Sequence, residues 1–283
     1  MLRHTKIVAT LGPASSSPDI LERMVQAGID VVRMNFSHGT ADDHKARAEG
    51  IRAAAAKHGR TVGILGDLQG PKIRVGKFES GKITLVVGEA FVLDAQCALG
   101  NQERVGLDYK DLPKDVVSGD ILLLDDGRLK LQVTGVRGHE IQTRVLVGGD
   151  LSNNKGINRQ GGGLTAPALT AKDMDDIKTA AQIGVDFVAV SFPKSAADMY
   201  MARQLLRAAG STAVLIAKIE RVEAITNLAE ILDASDGIMV ARGDLAVEVG
   251  DATVPALQKK MIRMARDKNK LTITATQMME SMI

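Results

Sequence analysis

Two short strings carry the chemistry of this chain: Lys218-Ile219-Glu220 and Ala241-Arg242-Gly243-Asp244. Each closes an apolar run, Ala213-Val214-Leu215-Ile216-Ala217 and Gly237-Ile238-Met239-Val240. Such runs read as buried parallel strands, where charge is costly unless paired, metal-bound or at a strand end. Alternate residues of a strand share a face, so Lys218 and Glu220 point the same way. An ammonium and two carboxylates at neighbouring strand ends suit a Mg²⁺ ion carrying a phosphorylated anion. Ligands bind at this end of parallel α/β sheets. The plainer readings are a solvent-exposed lysine and carboxylates that pair with cations or cap a helix. Asp244 has the position of an N-cap, because a short segment begins at Leu245.

A second polar face lies on Val31-Val32-Arg33-Met34-Asn35-Phe36. Arg33 and Asn35 share one side, Asn35 and Ser37 continue it, and Val32 and Met34 alternate away. A polar face on an apolar strand needs partners, which favours ligand binding. His38 alone reads as a hydrogen-bonding loop residue. Arg74 and Lys155 alone read as solvated surface charges, and Thr276 alone as a β-branched strand residue.

The elements that must position these groups alternate. Strands are expected at Ile7–Leu11, Val31–Phe36 and Val62–Asp67, with helices at about 19–27 and 41–58 between them. From about Pro71 to Pro167 the pattern is all β, with strands at Lys82–Val87, Asp120–Leu124 and Leu129–Val133. Asp126-Gly127 is a strong hairpin turn signal and Arg137-Gly138 a weaker one. The polar, glycine-rich stretch from Ser152-Asn153-Asn154 to Gly161-Gly162-Gly163 reads as a hinge or loop. The alternation then resumes, with helices at about 171–183, 196–209, 223–232 and 254–268. The strands between and after them are Asp186–Phe192, Val214–Glu220, Gly237–Arg242 and Leu271–Thr276. This predicts an α/β fold: a (β/α)₈ TIM barrel with seven strands present, so incomplete, and an inserted all-β lid. The expected barrel domain is 1–70 plus 168–283, and the inserted domain is 71–167. Seven strands leave two open edges, which suggests a fragment.

Composition narrows the function classes. A net charge of +2 with cations spread along the chain gives no stripe for nucleic acid and no polybasic membrane anchor. The single Cys97 forms no internal disulfide, so the expected location is the reducing cytoplasm. No run approaches the ~20 apolar residues of a membrane helix. No P-loop string and no protein-kinase His-Arg-Asp string occurs.

The motifs together resemble the pyruvate kinase family. Leu215-Ile216-Ala217-Lys218-Ile219-Glu220-Arg221-Val222-Glu223-Ala224-Ile225 is similar to its active-site signature. Arg33-Met34-Asn35-Phe36-Ser37-His38-Gly39-Thr40 is similar to its phosphate and nucleotide segment. Gly66-Asp67-Leu68-Gln69-Gly70-Pro71-Lys72-Ile73-Arg74 resembles the passage into its lid. Met239–Leu245 and Thr276–Met282 match as well, so the resemblance runs in order from Lys6 to the end.

The resemblance implies phosphoryl transfer from phosphoenolpyruvate to ADP, giving ATP and enolpyruvate, which is then protonated to pyruvate. It implies Lys218, Arg33 and Thr276 as catalytic, with Arg33, Lys218, Gly243, Asp244 and Thr276 holding the substrate. Thr276 would relay a proton rather than act as sole acid, since a hydroxyl has an unsuitable pKa. Asn35, His38, Arg74 and Lys155 would contact the nucleotide. Glu220 and Asp244 would hold Mg²⁺, with Mn²⁺ as a substitute. Part of the family uses K⁺, held by the residues matching Asn35, Ser37, Asp67 and Leu68. Members that need it carry Glu where this chain has Lys72. The lysine implies K⁺-independence, its ammonium supplying positive charge near Asp67. Ala246 departs from the family, where Gly is usual. A homotetramer is the implied full-length assembly. The rivals are a Mg²⁺-dependent aldolase or lyase acting on pyruvate-like enolates, and a non-catalytic fragment that only binds substrate.

Overall fold

The computed structural model describes residues 4–275. The chain opens with β1 (Val8–Thr10), α1 (Pro18–Gln26), β2 (Val31–Asn35), α2 (Ala41–Lys57) and β3 (Gly63–Asp67). Eight strands follow in a β-rich segment: β4 (Lys82–Leu85), β5 (Ala90–Asp94), β6 (Arg104–Gly106), β7 (Ile121–Leu124), β8 (Leu129–Arg137), β9 (Glu140–Val147), β10 (Gly149–Ser152) and β11 (Ile157–Arg159). A short helix, α3 (Leu112–Asp115), lies between β6 and β7. The alternation resumes with α4 (Ala171–Ile183), β12 (Phe187–Val190), α5 (Ala196–Ala208) and β13 (Val214–Ile219). It continues through α6 (Val222–Thr226), α7 (Leu228–Ala234), β14 (Gly237–Val240), α8 (Arg242–Val249), α9 (Val254–Asp267) and β15 (Leu271–Thr274).

Seven of these strands form one parallel sheet in the order β1-β2-β3-β12-β13-β14-β15. Its two faces bury different residues. Val188, Val190, Leu215, Ala217, Ile219, Ile238 and Val240 pack outward against the helices. Leu65, Ala189, Ile216 and Met239 meet on the other face, with Val31, Phe187, Val214 and Ile273 against them. A parallel sheet buried on both faces, with helical crossovers, is an incomplete TIM-like barrel. Full burial of a side chain such as Ile219, which is 0% exposed, stabilises by roughly 1.5–3 kcal/mol.

Local signals set the helix ends. Thr40 and Asp43 form a reciprocal capping box at the start of α2, and Thr170 and Asp173 do the same for α4. Asp173 is also fully buried and accepts a 3.0 Å hydrogen bond from the Gly70 N–H, fastening the loop after β3 to α4. Gly184 ends α4 at φ +70°, a left-handed position that suits glycine.

The β-rich segment has its own core, drawn from Ile73 to Leu164. It forms a six-stranded sheet, β11-β7-β8-β9-β5-β6, beside a two-stranded β10-β4 pair. Three strands were expected there and eight are present; the others are mostly short or carry charges at alternate positions. The expected Asp126-Gly127 turn joins β7 to β8, and Gly138 turns β8 into β9 at φ +60°. The stretch after Ser152 is not all loop, since β11 pairs with β7 there. Two further expectations fail. The single helix over 223–232 is two helices, with Asn227 between α6 and α7 donating its side-chain amide to the Lys194 carbonyl at 2.8 Å. Residues 242–249 are the helix α8, with Ala241 at its N-cap and Asp244 in its first turn rather than at the cap.

Candidate active site

The inner face of the barrel changes character toward the carboxyl ends of the strands. Val31, Leu65, Ala189 and Ile216 line the apolar interior. Side chains two residues further along a strand share that face, and those residues are Arg33, Asp67, Ser191 and Lys218. Strand register staggers them around the sheet: Arg33 is level with Leu65, Asp67 with Asn35 and Ala189, and Ala189 with Ile216. One pleat thus converts an apolar core into a ring of charge.

Lys218 is at the centre. Its Nζ donates to Ser191 Oγ at 2.6 Å and pairs with Glu220 Oε1 at 3.0 Å and Asp67 Oδ1 at 3.2 Å. Its side chain is 12% exposed and both carboxylates are 1% exposed, so these charges attract with little screening. Burial works to depress the Lys218 ammonium, but Glu220 and Asp67 outweigh it and hold its pKa above the ordinary lysine value. Burial pushes the Glu220 carboxyl up; Lys218 opposes this, and Asp244 and Asp67 add to the rise. Asp244 therefore lies within electrostatic range of both Lys218 and Glu220.

Arg33 and Asp67 form a second linkage. Arg33 donates from Nε to Asp67 Oδ2 at 2.6 Å, brings Nη2 within 2.6 Å of the same oxygen, and reaches Thr10 Oγ1 from Nη1 at 3.0 Å. Asp67 is thus bridged by Arg33 on one oxygen and Lys218 on the other. The ammonium expected near Asp67, that of Lys72, sits elsewhere: its Nζ is 2.9 Å from Asp244 Oδ1 and 3.5 Å from Asp126 Oδ1. The β7–β8 turn brings Asp126 to that position, and Arg33 and Lys218 already fill the space around Asp67.

The remaining predicted residues are more dispersed. Asn35 Oδ1 accepts from the Ser37 N–H at 3.0 Å, and Leu68 offers its carbonyl to Ser191 Oγ at 2.7 Å. His38 is exposed in the turn after β2. Arg74 and Lys155 lie on adjacent stretches of chain: Arg74 Nη1 donates to the Asn154 carbonyl at 3.1 Å, and Val75 N–H to the Lys155 carbonyl at 2.9 Å. Lys155 Nζ pairs with Asp125 Oδ1 at 2.6 Å. Gly243 and Asp244 occupy the first turn of α8, beside a cleft of about 800 Å³ that the β7–β8 turn lines with Asp126, Gly127 and Arg128. Thr276 and the Thr276–Met282 motif lie outside the described residues.

Glu220, Asp244 and Asp67 offer the hard oxygens a divalent cation needs, and the crowding that raises Glu220 is of the kind such an ion relieves. Among the described residues a tighter group of potential ligand side chains, Asp94, His139 and Glu140, lies in the β-rich segment. Arg104 already pairs there with Asp94 and Glu140, at 3.0 and 2.9 Å. Sequence reading missed Ser191, although Phe187-Val188-Ala189-Val190-Ser191 carries the same signal as the Lys218 strand: a polar residue closing a buried apolar run.

The family model described as "Pyruvate kinase, barrel domain" matches residues 2–283. The chain belongs to the pyruvate kinase family. Similar relatives are the "Pyruvate kinase" of Haemophilus influenzae, 60% identical over 287 residues, and the "Pyruvate kinase II" of Salmonella typhimurium, 58% identical over 287 residues. A "Pyruvate kinase" of Mycobacterium tuberculosis is 47% identical over 283 residues. Each alignment covers 100% of this chain and 60% of the relative, so the chain spans about three fifths of the length of these pyruvate kinases.

Proposed function

We propose that this chain carries the catalytic site of a phosphotransferase that moves the phosphoryl group of phosphoenolpyruvate to ADP and protonates the resulting enolpyruvate. The observation that supports it most is the buried Lys218 ammonium held between Glu220 and Asp67 at the carboxyl end of a family barrel. Phosphoryl transfer spreads negative charge over the equatorial oxygens, so catalysis is mostly positioning and charge neutralisation. Lys218 supplies that charge from a dry site. Arg33, aimed by Asp67 and Thr10, holds the substrate phosphate. The N–H groups of Gly243 and Asp244, in the first turn of α8, suit the substrate carboxylate. Glu220 and Asp244 would hold Mg²⁺, or Mn²⁺ in its place, which when bound supplies Lewis-acid neutralisation of phosphoryl oxygens. Thr276 would relay the proton to the enol carbon.

Residues 71–167 act as a lid in this reading. Arg74 and Lys155, at the two crossings, face the nucleotide phosphates, with Asn35 and His38 on the barrel side. Residues 1–70 and 168–283 form the barrel domain. Phosphorus NMR of the full-length protein with phosphoenolpyruvate, Mg²⁺ and ADP tests the reading. Signal should pass from phosphoenolpyruvate to ATP only when ADP is present. Pyruvate and inorganic phosphate formed without ADP would instead mean that the phosphoryl group passes to water, which contradicts transfer to a nucleotide.

A further inference from the structure

We propose that Ser191 is the positioning residue for Lys218, and that the backbone of Phe192 does the same for Glu220, so that one strand end aims both the amine and the carboxylate. This rests on the phosphotransfer reading above and adds a residue pair to it. The Ser191 hydroxyl is 1% exposed and has one proton. That proton goes to the Leu68 carbonyl at 2.7 Å, so toward Lys218 Nζ, 2.6 Å away, the oxygen can only accept. The carbonyl itself is fixed, since the Leu68 N–H is bonded to the Ala189 carbonyl at 3.0 Å. The ammonium donates one hydrogen bond, to Ser191, and forms ion pairs with the Glu220 and Asp67 carboxylates. The two carboxylates pull the amine between them. The neutral serine sets a third direction, which stops the amine from collapsing onto the carboxylates.

Phe192 carries the other half. It holds φ +56°, a left-handed conformation that costs a bulky residue energy. Its N–H donates to Glu220 Oε2 at 2.8 Å, and its ring lies under the Arg221 guanidinium at 5.2 Å. Glu220 thus has one oxygen fixed by backbone and the other paired with Lys218. Gly70 closes the assembly from the side: a Cβ there would come within 2.7 Å of the Ser191 Cβ.

Ser191→Ala in the full-length protein tests this, because it removes one oxygen and adds no bulk. The kcat for pyruvate formation should fall by roughly 10- to 100-fold while the KM for phosphoenolpyruvate moves less than about threefold. Mn²⁺ affinity, read by electron paramagnetic resonance without substrate, should change less than about twofold, because Glu220 keeps its Phe192 N–H. A kcat within about twofold of wild type overturns the positioning role. So does a fall in kcat that arrives with weakened Mn²⁺ binding and a lowered melting temperature, which marks a structural role only. Absence of ADP-dependent transfer in the wild-type protein would instead sink the functional reading itself.

Discussion

Lys72 Nζ stands 2.9 Å from Asp244 Oδ1, tying the segment after β3 to the first turn of α8. Burial works against this ammonium, but Asp244 and Asp126 outweigh it and hold it above its ordinary value. A fixed positive charge is therefore already present beside the candidate metal ligands. Turnover by the full-length protein should be independent of K⁺. In buffer free of Na⁺ and K⁺, adding K⁺ should change the rate less than about twofold. Near-zero activity restored by K⁺ would contradict this.

Asp67 is 1% exposed and bridges two cations, Arg33 and Lys218. Removing one partner of a buried ion pair leaves uncompensated charge. Asp67→Ala should cost about 3 kcal/mol in urea unfolding, beyond the cost of a surface carboxylate. A loss below about 1 kcal/mol would mean that water screens these cations.

The loop after β3 depends on Gly70, at φ +67° and packed against Ser191. Gly70→Ala meets both a strained backbone and a close contact, so it should destabilise by about 2–3 kcal/mol. Thermal unfolding of this variant beside Gly81→Ala, at φ +77° with nothing within 4 Å, separates the two terms. Equal shifts for both would show that the contact with Ser191 adds nothing.

Much of this was legible in the sequence and some was not, for identifiable reasons. Lys218 and Glu220 could be placed because they close an apolar run on one strand face, and that alternation survives folding. The partner that fixes Lys218 could have been found the same way at Ser191. Asp244 was misplaced by a few residues of local structure: Arg242–Val249 contains Gly and two Val, weak helix formers, and only packing makes it α8. Lys72, expected near Asp67, pairs instead with Asp244 and Asp126, and Asp126 reaches it through a hairpin of the β-rich segment, a contact that no local pattern encodes.

Glu248 gives a pH test of the junction between α8 and the β-rich segment. It accepts from the Val222 N–H at 3.0 Å and from the Asn158 side chain at 3.5 Å. Burial pushes its carboxyl from 4.5 up to about 7; Glu223 adds to the rise, while the Val222 N–H, Arg221 and Asn158 oppose it. The folded state therefore holds a proton that the unfolded state has lost between those values. Stability should increase as pH falls from about 7 toward 4.5 and decrease as pH rises through 7, by about 3 kcal/mol from this group. Urea unfolding across that range should lose this slope in Glu248→Gln. Parallel pH profiles for the variant and wild type would refute it.

The most direct test of the central claim is the kcat of Lys218→Met in the full-length protein, assayed as ADP-dependent pyruvate formation from phosphoenolpyruvate. With the fold verified by circular dichroism, the rate should drop at least about a thousandfold, since the transferring group loses its neutralising charge. A variant that keeps its rate within about tenfold of wild type would contradict the account, because the buried amine would then have no part in the chemistry.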